Sequence, residues 1–384
     1  MSTKSPITTT SSRLRAPGLA LGFGLWALGI PNMLAAQSAD SAAAKPAPIT
    51  ITGYVTTSFT ASTRATDEAI VGRLFGRDHN QFMLNVGDVV FERVAATDSW
   101  DAGFHFEPVF GQNAAVVKSG GLDLGADADI WQAYVTLNLP AGKDRYVQFK
   151  AGKMATLMGL EVFEDVQNPN LDVGTQDIFL EPFTETGIEI DGKFSSRLDA
   201  ELRVTNGWDL VADNNRGKSL MGRLGLAPDS ATTIALLGYV GPEQAGSTTN
   251  LRSGAQALLS RKFGGSVTTW LQLDYGQEDG AAAGGTTAKW YGVGFWTAAD
   301  LSPHVGLGIR ADLVNDRDGA RLSGGLGYPV NGGQTVSSLT ATLNLKSWQH
   351  ALVRPELRYD HSTLPVYDGQ HSQLSIALGV SHIF

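Results

Sequence analysis

The amino-acid sequence predicts an all-β protein, a closed antiparallel transmembrane β-barrel of about 16 strands. Three observations lead to this fold class: a two-residue periodicity in segment after segment, an alternation of short turns with long polar loops, and a composition rich in glycine. The chain has 384 residues, of which 45 are glycine and only 17% are charged. It lacks the runs of roughly 20 apolar residues from which helical membrane proteins are built.

The first segment of the chain has the features of an export signal. Lys4, Arg13 and Arg15 precede an apolar stretch at residues 16–30, and small residues follow up to Ala36. A basic start, an apolar centre and a small-residue end are typical of a secretory signal peptide. The apolar stretch is too short and too rich in glycine for a membrane-spanning helix.

These features divide the chain into three parts. We expect a signal peptide at residues 1–36, a short periplasmic lead-in at residues 37–48 and the barrel at residues 49–384. Removing the signal takes away three bases and no acid, so the mature chain is more acidic than the net charge of −9 for the full sequence. Such acidity argues against nucleic-acid binding, which needs a basic face. The absence of cysteine excludes disulfides, thiolate metal sites and thiol nucleophiles.

Alternating apolar and polar residues predict each strand. In the last strand Leu374, Ile376 and Leu378 alternate with small or polar residues, and the chain stops at Phe384. A period of two puts one set on each face of a strand, and a final amphipathic strand closed by an aromatic residue is how bacterial outer-membrane barrels end. The predicted strands cover residues 49–61, 80–94, 98–109, 128–139, 144–153, 183–194, 196–206, 218–227, 231–241, 250–263, 266–276, 287–298, 303–314, 335–347, 349–360 and 371–384.

The connections between these strands alternate in length. Short turns such as 140–143 and 264–265 alternate with long polar loops such as 62–79, 154–182 and 315–334. Outer-membrane barrels have short periplasmic turns and longer extracellular loops, whereas a soluble sandwich has no reason to sort its loops in this way. The pattern therefore predicts a location in the bacterial outer membrane.

Charged residues alternate with apolar residues on several strands. A charge on the lipid face of a barrel costs about 2–4 kcal/mol at the bilayer midplane, so the charged face should line the lumen. Any one of these charges can equally serve a structural role, because opposite charges on neighbouring strands stabilise a sheet. The predicted pore-lining residues are Arg197, Asp199, Glu201, Arg203, Arg310, Asp312, Arg354, Glu356, Arg358 and Asp360.

Two segments, 80–94 and 182–218, carry a family resemblance. Their distinctive motifs are His79-Asn80, Phe82, Leu84-Asn85, Glu92-Arg93, Pro182-Phe183-Thr184, Thr186-Gly187, Asn206-Gly207-Trp208-Asp209 and Asp213-Asn214-Asn215. In these motifs the chain resembles the OmpL-like β-barrel porins. The resemblance implies an outer-membrane barrel for the diffusion of small solutes. Glu185 stands where members have a histidine, so a role of that histidine does not carry over.

The longest loop, residues 154–182, is a candidate constriction. It carries six acidic residues and no base: Glu161, Glu164, Asp165, Asp172, Asp177 and Glu181. If the loop folds inward, these acids face lumen bases such as Arg197, Arg203, Arg310, Arg354 and Arg358, and the resulting field favours cations weakly. The alternative is a solvated outer loop that contacts only lipopolysaccharide and divalent ions.

The sequence thus predicts a porin through which small hydrophilic solutes and ions diffuse, because barrels of 16–18 strands leave an aqueous channel. We predict no catalytic residue, metal site or cofactor, since no hydrolase, metalloprotease or phosphate-binding motif occurs. His105 and Glu107 share an inward face, which fits an ordinary lumen contact. Two alternatives remain: an outer-membrane enzyme of the lipase or protease type, and a non-conducting adhesin or anchoring barrel.

The expected partners follow from this location. They are outer-membrane lipid and lipopolysaccharide, small hydrophilic solutes, and the barrel-assembly machinery, which would bind the C-terminal strand ending at Phe384. Association into a homotrimer is left open, and no nucleic acid is expected.

Overall fold

A computed structural model of the protein describes residues 47–384, except 66–68, 144, 324–326 and 330. The predicted signal peptide lies outside the described residues, as does nearly all of the predicted lead-in. No helix among the described residues is long and apolar enough to cross a membrane.

Sixteen antiparallel strands form one closed barrel, which confirms the predicted fold class and strand number. Each strand pairs with its neighbours in sequence. The strands are β1 (Thr50–Ser62), β2 (Gln81–Arg93), β3 (Asp101–Phe110), β4 (Ala128–Pro140), β5 (Tyr146–Ala155), β6 (Thr184–Ser195), β7 (Leu198–Trp208), β8 (Ser219–Asp229), β9 (Thr232–Pro242), β10 (Leu251–Phe263), β11 (Val267–Glu278), β12 (Ala288–Ser302), β13 (Val305–Asp316), β14 (Gln334–Trp348), β15 (Ala351–Ser362) and β16 (Ser372–Ile383).

The barrel closes where the first strand meets the last. Phe59 lies opposite Leu378 in the register of β1 and β16. Gly53 and Phe384 exchange two backbone hydrogen bonds of 3.0 and 2.9 Å at the end of this seam. Closure leaves no free sheet edge, which is the condition for placing strands in a bilayer.

The two faces of the wall have the polarity predicted from the sequence. On β16 the outward residues Leu374, Ile376 and Leu378 are 40–54% exposed, whereas inward Gln373 and Ser375 are at most 2% exposed. A soluble barrel would bury the apolar set instead. The outer surface is therefore suited to hydrocarbon, and the polar residues lie inside the barrel.

Loop length separates the two ends of the barrel as predicted. The strands meet at one end in turns as short as residues 196–197 and 230–231, and both ends of the described chain lie there. The other end carries the long loops. Two of these loops contain short helices, α1 (Gln112–Val116) and α2 (Thr175–Leu180).

The core of the protein lies inside the barrel, towards its long-loop end. Several loops turn inward and pack their apolar side chains against one another and against the wall. This core contains Leu74, Phe75, Val86, Val109, Val117, Trp131, Phe163, Phe179, Leu180, Trp290, Leu322, Tyr328, Val366 and Tyr367, among others. The loops thus occupy part of the lumen instead of extending into solvent.

Candidate pore and its inward loop

Residues 156–183, here named the inward loop, lie within the barrel between β5 and β6. All six residues of α2 are buried, and α2 contacts β12, β13 and β14. The loop therefore lies against one side of the wall. Four arginines hold it there: Arg310 of β13, Arg354 and Arg358 of β15, and Arg73 of the loop between β1 and β2.

Arg354 binds the main chain of the inward loop. Its guanidinium donates to the carbonyl oxygens of Asp165 at 2.7 Å, Asn168 at 3.1 Å and Asn170. The Asp165 carboxylate lies 3.7 Å from the same guanidinium. The Asp165 carbonyl also accepts the backbone N–H of Asn168 at 3.1 Å. Buried carbonyl oxygens need hydrogen-bond donors, and Arg354 supplies them along this stretch of the loop.

Arg310 forms a buried ion pair with the inward loop. Its Nη1 lies 2.9 Å from Oε1 of Glu161, and both side chains are fully buried. The same nitrogen also donates to the Asp172 carbonyl, and Nη2 donates to Thr340 Oγ1 at 3.1 Å. Hydrogen bonds on several sides are what an ion pair needs in order to offset its loss of hydration.

Arg358 and Arg73 share Asp172 of the inward loop. The Asp172 Oδ2 atom lies 2.7 Å from Nη1 of Arg358 and 3.1 Å from Nε of Arg73. Arg73 also pairs with Glu356 at 3.1 Å. The other Glu356 oxygen accepts the backbone N–H of Leu171 at 2.8 Å. Acids of the wall thus bind loop N–H groups while bases of the wall bind loop carbonyls and carboxylates.

Three predicted loop acids have no basic partner within 4.0 Å among the described residues, namely Glu164, Asp177 and Glu181. Asp177 accepts the backbone N–H of Leu160 at 3.2 Å. Glu181 accepts the side-chain amides of Gln256 and Gln272 at 2.8 and 2.6 Å. Burial raises the pKa of the Asp177 and Glu181 carboxyls well above their ordinary values, and neighbouring carboxylates raise it further. Both groups therefore favour their neutral form.

The inward loop brings three of its acids against three of the five predicted lumen bases, Arg310, Arg354 and Arg358, and these charges compensate one another. Glu161, Asp165 and Asp172 point into the wall to which the loop is bound, and Glu164 accepts the indole N–H of Trp131 at 3.2 Å. Arg203 lies across the lumen and pairs with Glu185 and Glu189 of its own wall instead. No acid of the loop lies within 4.0 Å of the Arg203 guanidinium in the described part of the chain.

The predicted pore-lining residues fall into three groups. Asp199, Glu201 and Arg203 lie on the inward face of β7. Arg310, Asp312, Arg354, Glu356, Arg358 and Asp360 also face inward, but they are at most 4% exposed because the inward loop covers that side of the wall. The third group is Arg197 alone, which lies exposed in the turn between β6 and β7 and not on the wall. Placing Arg197 on a strand was wrong because the turn begins at Ser196.

The opposite wall, formed by β5 to β8, carries partly exposed charges on its inward face. Lys150 binds Glu189 at 2.8 Å, and Arg223 binds Asp199 and Glu201 at 2.7 Å each. The Lys150 and Arg223 side chains are 23% and 27% exposed. Sequence reasoning missed both bases and Arg73. The register of β5 and β8 against their neighbours identifies the two wall bases, whereas Arg73 lies in a loop without a pattern.

An open space lies on the short-turn side of the inward loop. It has a volume of about 410 Å³, and the loop residues Leu160, Val162 and Val166 form one side of it. Trp270, Lys346 and Asp300 contribute to the opposite side. The inward loop thus separates this space from the core at the long-loop end.

No arrangement typical of catalysis or metal binding occurs among the described residues. His105 lies between Glu107, at 2.8 Å, and Glu92, at 3.4 Å, and its ring stacks on Tyr134. Within the described part of the chain, no serine hydroxyl bonds a histidine ring, and no group of three potential ligands could hold a metal ion.

The family profile described as Putative beta-barrel porin-2, OmpL-like, matches residues 48–384. The chain belongs to this family. The protein is thus a porin of the bacterial outer membrane. The short turns of the porin accordingly face the periplasm, and its long loops face the outside of the cell.

Solved structures share the fold of the porin. The outer membrane channel DcaP of Acinetobacter baumannii has a TM-score of 0.58 at 11% identity, over 88% of this chain and 97% of that chain. The trimer form of OmpT from Vibrio cholerae has a TM-score of 0.58 at 8% identity, over 88% and 100%. The anion-selective porin from Comamonas acidovorans has a TM-score of 0.55 at 11% identity, over 88% and 99%. No curated protein matches the chain.

Proposed function

We propose that small hydrophilic solutes and ions diffuse passively between the inward loop and the wall formed by β5 to β8. The observation that supports this route is a difference in exposure across the lumen. Arg310, Arg354 and Arg358 are fully buried beneath the loop, whereas Lys150 and Arg223 on the opposite wall remain partly exposed to water.

The chemistry of this route has two sides. The inward loop contributes apolar side chains to the lumen, since Val162 is 40% exposed and Leu157 and Leu160 are partly buried. The opposite wall carries acids and bases that pair with one another. A passage with balanced charges selects by size more than by charge, so we expect weak ion selectivity and a preference for polar solutes.

A liposome-swelling assay with sugars of graded size tests this function. Liposomes containing the refolded porin should swell with small sugars, and the swelling rate should fall steeply as the sugar becomes larger. Liposomes exposed to unfolded protein serve as the control. Discrete conductance steps in planar bilayers should accompany the swelling. Folded barrels that insert but neither swell liposomes nor conduct would favour the anchoring alternative and overturn the proposal.

The proposed channel needs no catalytic group. An enzyme of the lipase or protease type would need a Ser–His–acid set at one rim, and such a set is missing among the residues described. Hydrolysis of lipid or peptide substrates by the purified porin, lost with a single serine substitution, would favour the enzyme instead.

We further propose that three copies associate, that the long loops contact lipopolysaccharide, and that the assembly machinery binds the strand ending at Phe384. A trimer form is known for one structural neighbour, OmpT of Vibrio cholerae. Native mass spectrometry in mild detergent should give the mass of three chains. A single-chain mass under all mild conditions would contradict the trimer.

A further inference from the structure

Four side chains near the extracellular end of the lumen form what we name the arginine–tryptophan cluster: Trp208, Tyr239, Arg252 and Arg321. Trp208 ends β7, and its ring centroid lies 5.2 Å from that of Tyr239 on β9. The guanidinium carbon lies 4.6 Å from the Trp208 ring centroid for Arg252 and 5.3 Å for Arg321. Both distances are within the range of cation–π attraction.

Arg321 is held in place at both ends. Its backbone N–H donates to Oδ2 of Asp316 at 2.8 Å, and its Nε donates to the carbonyl of Phe179 at 2.7 Å. Phe179 belongs to α2 of the inward loop, so the guanidinium is anchored to this loop. The Trp290 ring centroid lies 5.6 Å from the same guanidinium. A head group fixed in this way has little conformational freedom left to lose on binding a ligand.

The two arginines differ in how their charge is compensated. Arg252 gives Nε and Nη2 to Oε2 of Glu278 at 3.0 and 2.8 Å. No carboxylate oxygen lies within 4.0 Å of the Arg321 guanidinium in the described part of the chain. Burial and the charge of Arg252 lower the pKa of Arg321 to about 10, so it remains a cation at neutral pH. A partly buried cation without a counter-ion is costly unless an anion approaches it.

Apolar side chains pack against the two rings of the cluster. Met158 of the inward loop, Met221 of β8 and Leu237 of β9 pack with Trp208 and Tyr239. Methionine side chains are flexible and polarisable, so they adapt to flat apolar bodies. Trp208 and Tyr239 are 8% and 7% exposed, so a ligand can reach a small part of each ring beside the guanidiniums. This arrangement matches a molecule that carries an anionic group on an apolar body.

We propose that the arginine–tryptophan cluster is a binding site for small organic anions with a flat apolar part, such as an aromatic carboxylate. The anionic group binds Arg321, and the apolar part lies against Trp208 and Tyr239. This inference rests on the proposed function, because it names a class of solute that would pause in the channel on its way through. The site leaves the paired charges on β5 to β8 unchanged.

Isothermal titration calorimetry on the detergent-solubilised porin tests the site directly. Benzoate offers both features, acetate offers the charge alone and benzyl alcohol offers the ring alone. Benzoate should bind more tightly than either of the others. Arg321→Gln should weaken benzoate binding about tenfold, since a hydrogen bond to a charged group is worth a factor of this size. Arg317→Gln, which removes an equal charge from an exposed position in the same loop, should leave benzoate binding unchanged.

The outcomes separate the site from the channel. No benzoate binding to the folded porin, or equal losses in the two arginine variants, would overturn the site. In planar bilayers benzoate should cause brief current blocks that Arg321→Gln shortens. A porin that binds benzoate in the calorimeter but never conducts would keep the site and overturn the proposed function. A porin that conducts without binding benzoate would keep the proposed function and overturn the site.

Discussion

Four buried arginines determine where the inward loop lies in the lumen. Each of them is fully enclosed, and each touches both the wall and the inward loop. Taking a charge out of water is costly, and only several good hydrogen bonds can offset that cost. The stability of the loop should therefore depend strongly on the partners of each arginine.

Loss of Arg310 should destabilise the protein most clearly, because it leaves Glu161 buried without its partner. Arg310→Met should lower the free energy of unfolding by about 3–5 kcal/mol. The double variant Arg310→Met with Glu161→Gln removes both charges and should recover most of this loss. Urea-induced unfolding in detergent micelles measures the difference. Equal losses in the single and double variants would contradict the ion-pair explanation.

Asp165 should make stability depend on pH. Burial raises the pKa of this carboxyl to about 6, although Arg354 and Thr56 oppose the shift. In the unfolded chain the pKa of an aspartate is about 3.9. Between these values the folded state binds more protons than the unfolded state, so the contribution of Asp165 to the free energy of unfolding falls as pH rises from about 4 to 6. Below pH 4 Asp165 is protonated in both states and does not destabilise the fold. Above pH 6 it is ionised in both states, and the full cost of burying its charge is present.

The comparison with Asp165→Asn isolates this effect. The variant should lose part of the decrease in thermal stability between pH 4 and 6, and it should be more stable than the parent above pH 6. Asp300→Asn, at an exposed position on β12, serves as the control and should follow the parent. Parallel melting-temperature profiles for the parent and Asp165→Asn would show that the pKa of Asp165 is not raised by folding.

At the scale of elements, the inward loop divides the barrel into two unequal sides. One side is filled by the loop and its ion pairs. The other side retains water-accessible charges on β5 to β8. The width of the passage therefore depends on the free face of the loop and not on the arginines behind it.

Val162 is 40% exposed and borders the space of about 410 Å³ between the inward loop and the lower parts of β11 to β15. Val162→Trp should narrow the passage, reducing the single-channel conductance several-fold and slowing liposome swelling most for the largest sugars. Val293→Trp places the same ring on the lipid face of β12 and should leave conductance unchanged. If Val162→Trp conducts like the parent, the passage lies elsewhere in the lumen.

The strands could be predicted from sequence, whereas the anchoring of the loop could not. A period of two places Arg354 and Lys150 on the inward face equally well, so alternation cannot tell a covered wall from an open one. The partners of Arg354 are carbonyl oxygens of the main chain, which leave no trace in residue types. Arg73 reaches Asp172 from an irregular loop, where no periodicity fixes the direction of a side chain.

At the scale of the whole molecule, the polarity of the barrel is reversed relative to that of a soluble protein. Apolar side chains cover the outside of the wall, and its inward face is rich in charged and polar residues, with an apolar core of loop side chains at the long-loop end. This arrangement is stable only when hydrocarbon surrounds the wall and every backbone group is paired within it. The protein should accordingly fold only in detergent or lipid.

Leu357 tests this polarity, because it faces outward near the middle of β15 and is 48% exposed. Leu357→Arg should make folding into lipid vesicles less favourable by about 2–4 kcal/mol. Leu301 lies near the periplasmic end of β12. Leu301→Arg should cost about 0–1 kcal/mol, because the cost of a charge falls from the middle of the bilayer to its surface. Equal costs at the two sites would contradict the assigned lipid-facing surface.

Arg354 holds the inward loop largely through peptide carbonyls, which every amino acid type supplies. Loop side chains that point away from this wall therefore have no role in attaching the loop. Leu157, Leu160 and Val162 could be exchanged in combination without loosening the attachment. The protein thus offers a fixed scaffold on which the width and chemistry of an engineered nanopore can be redesigned at a few positions.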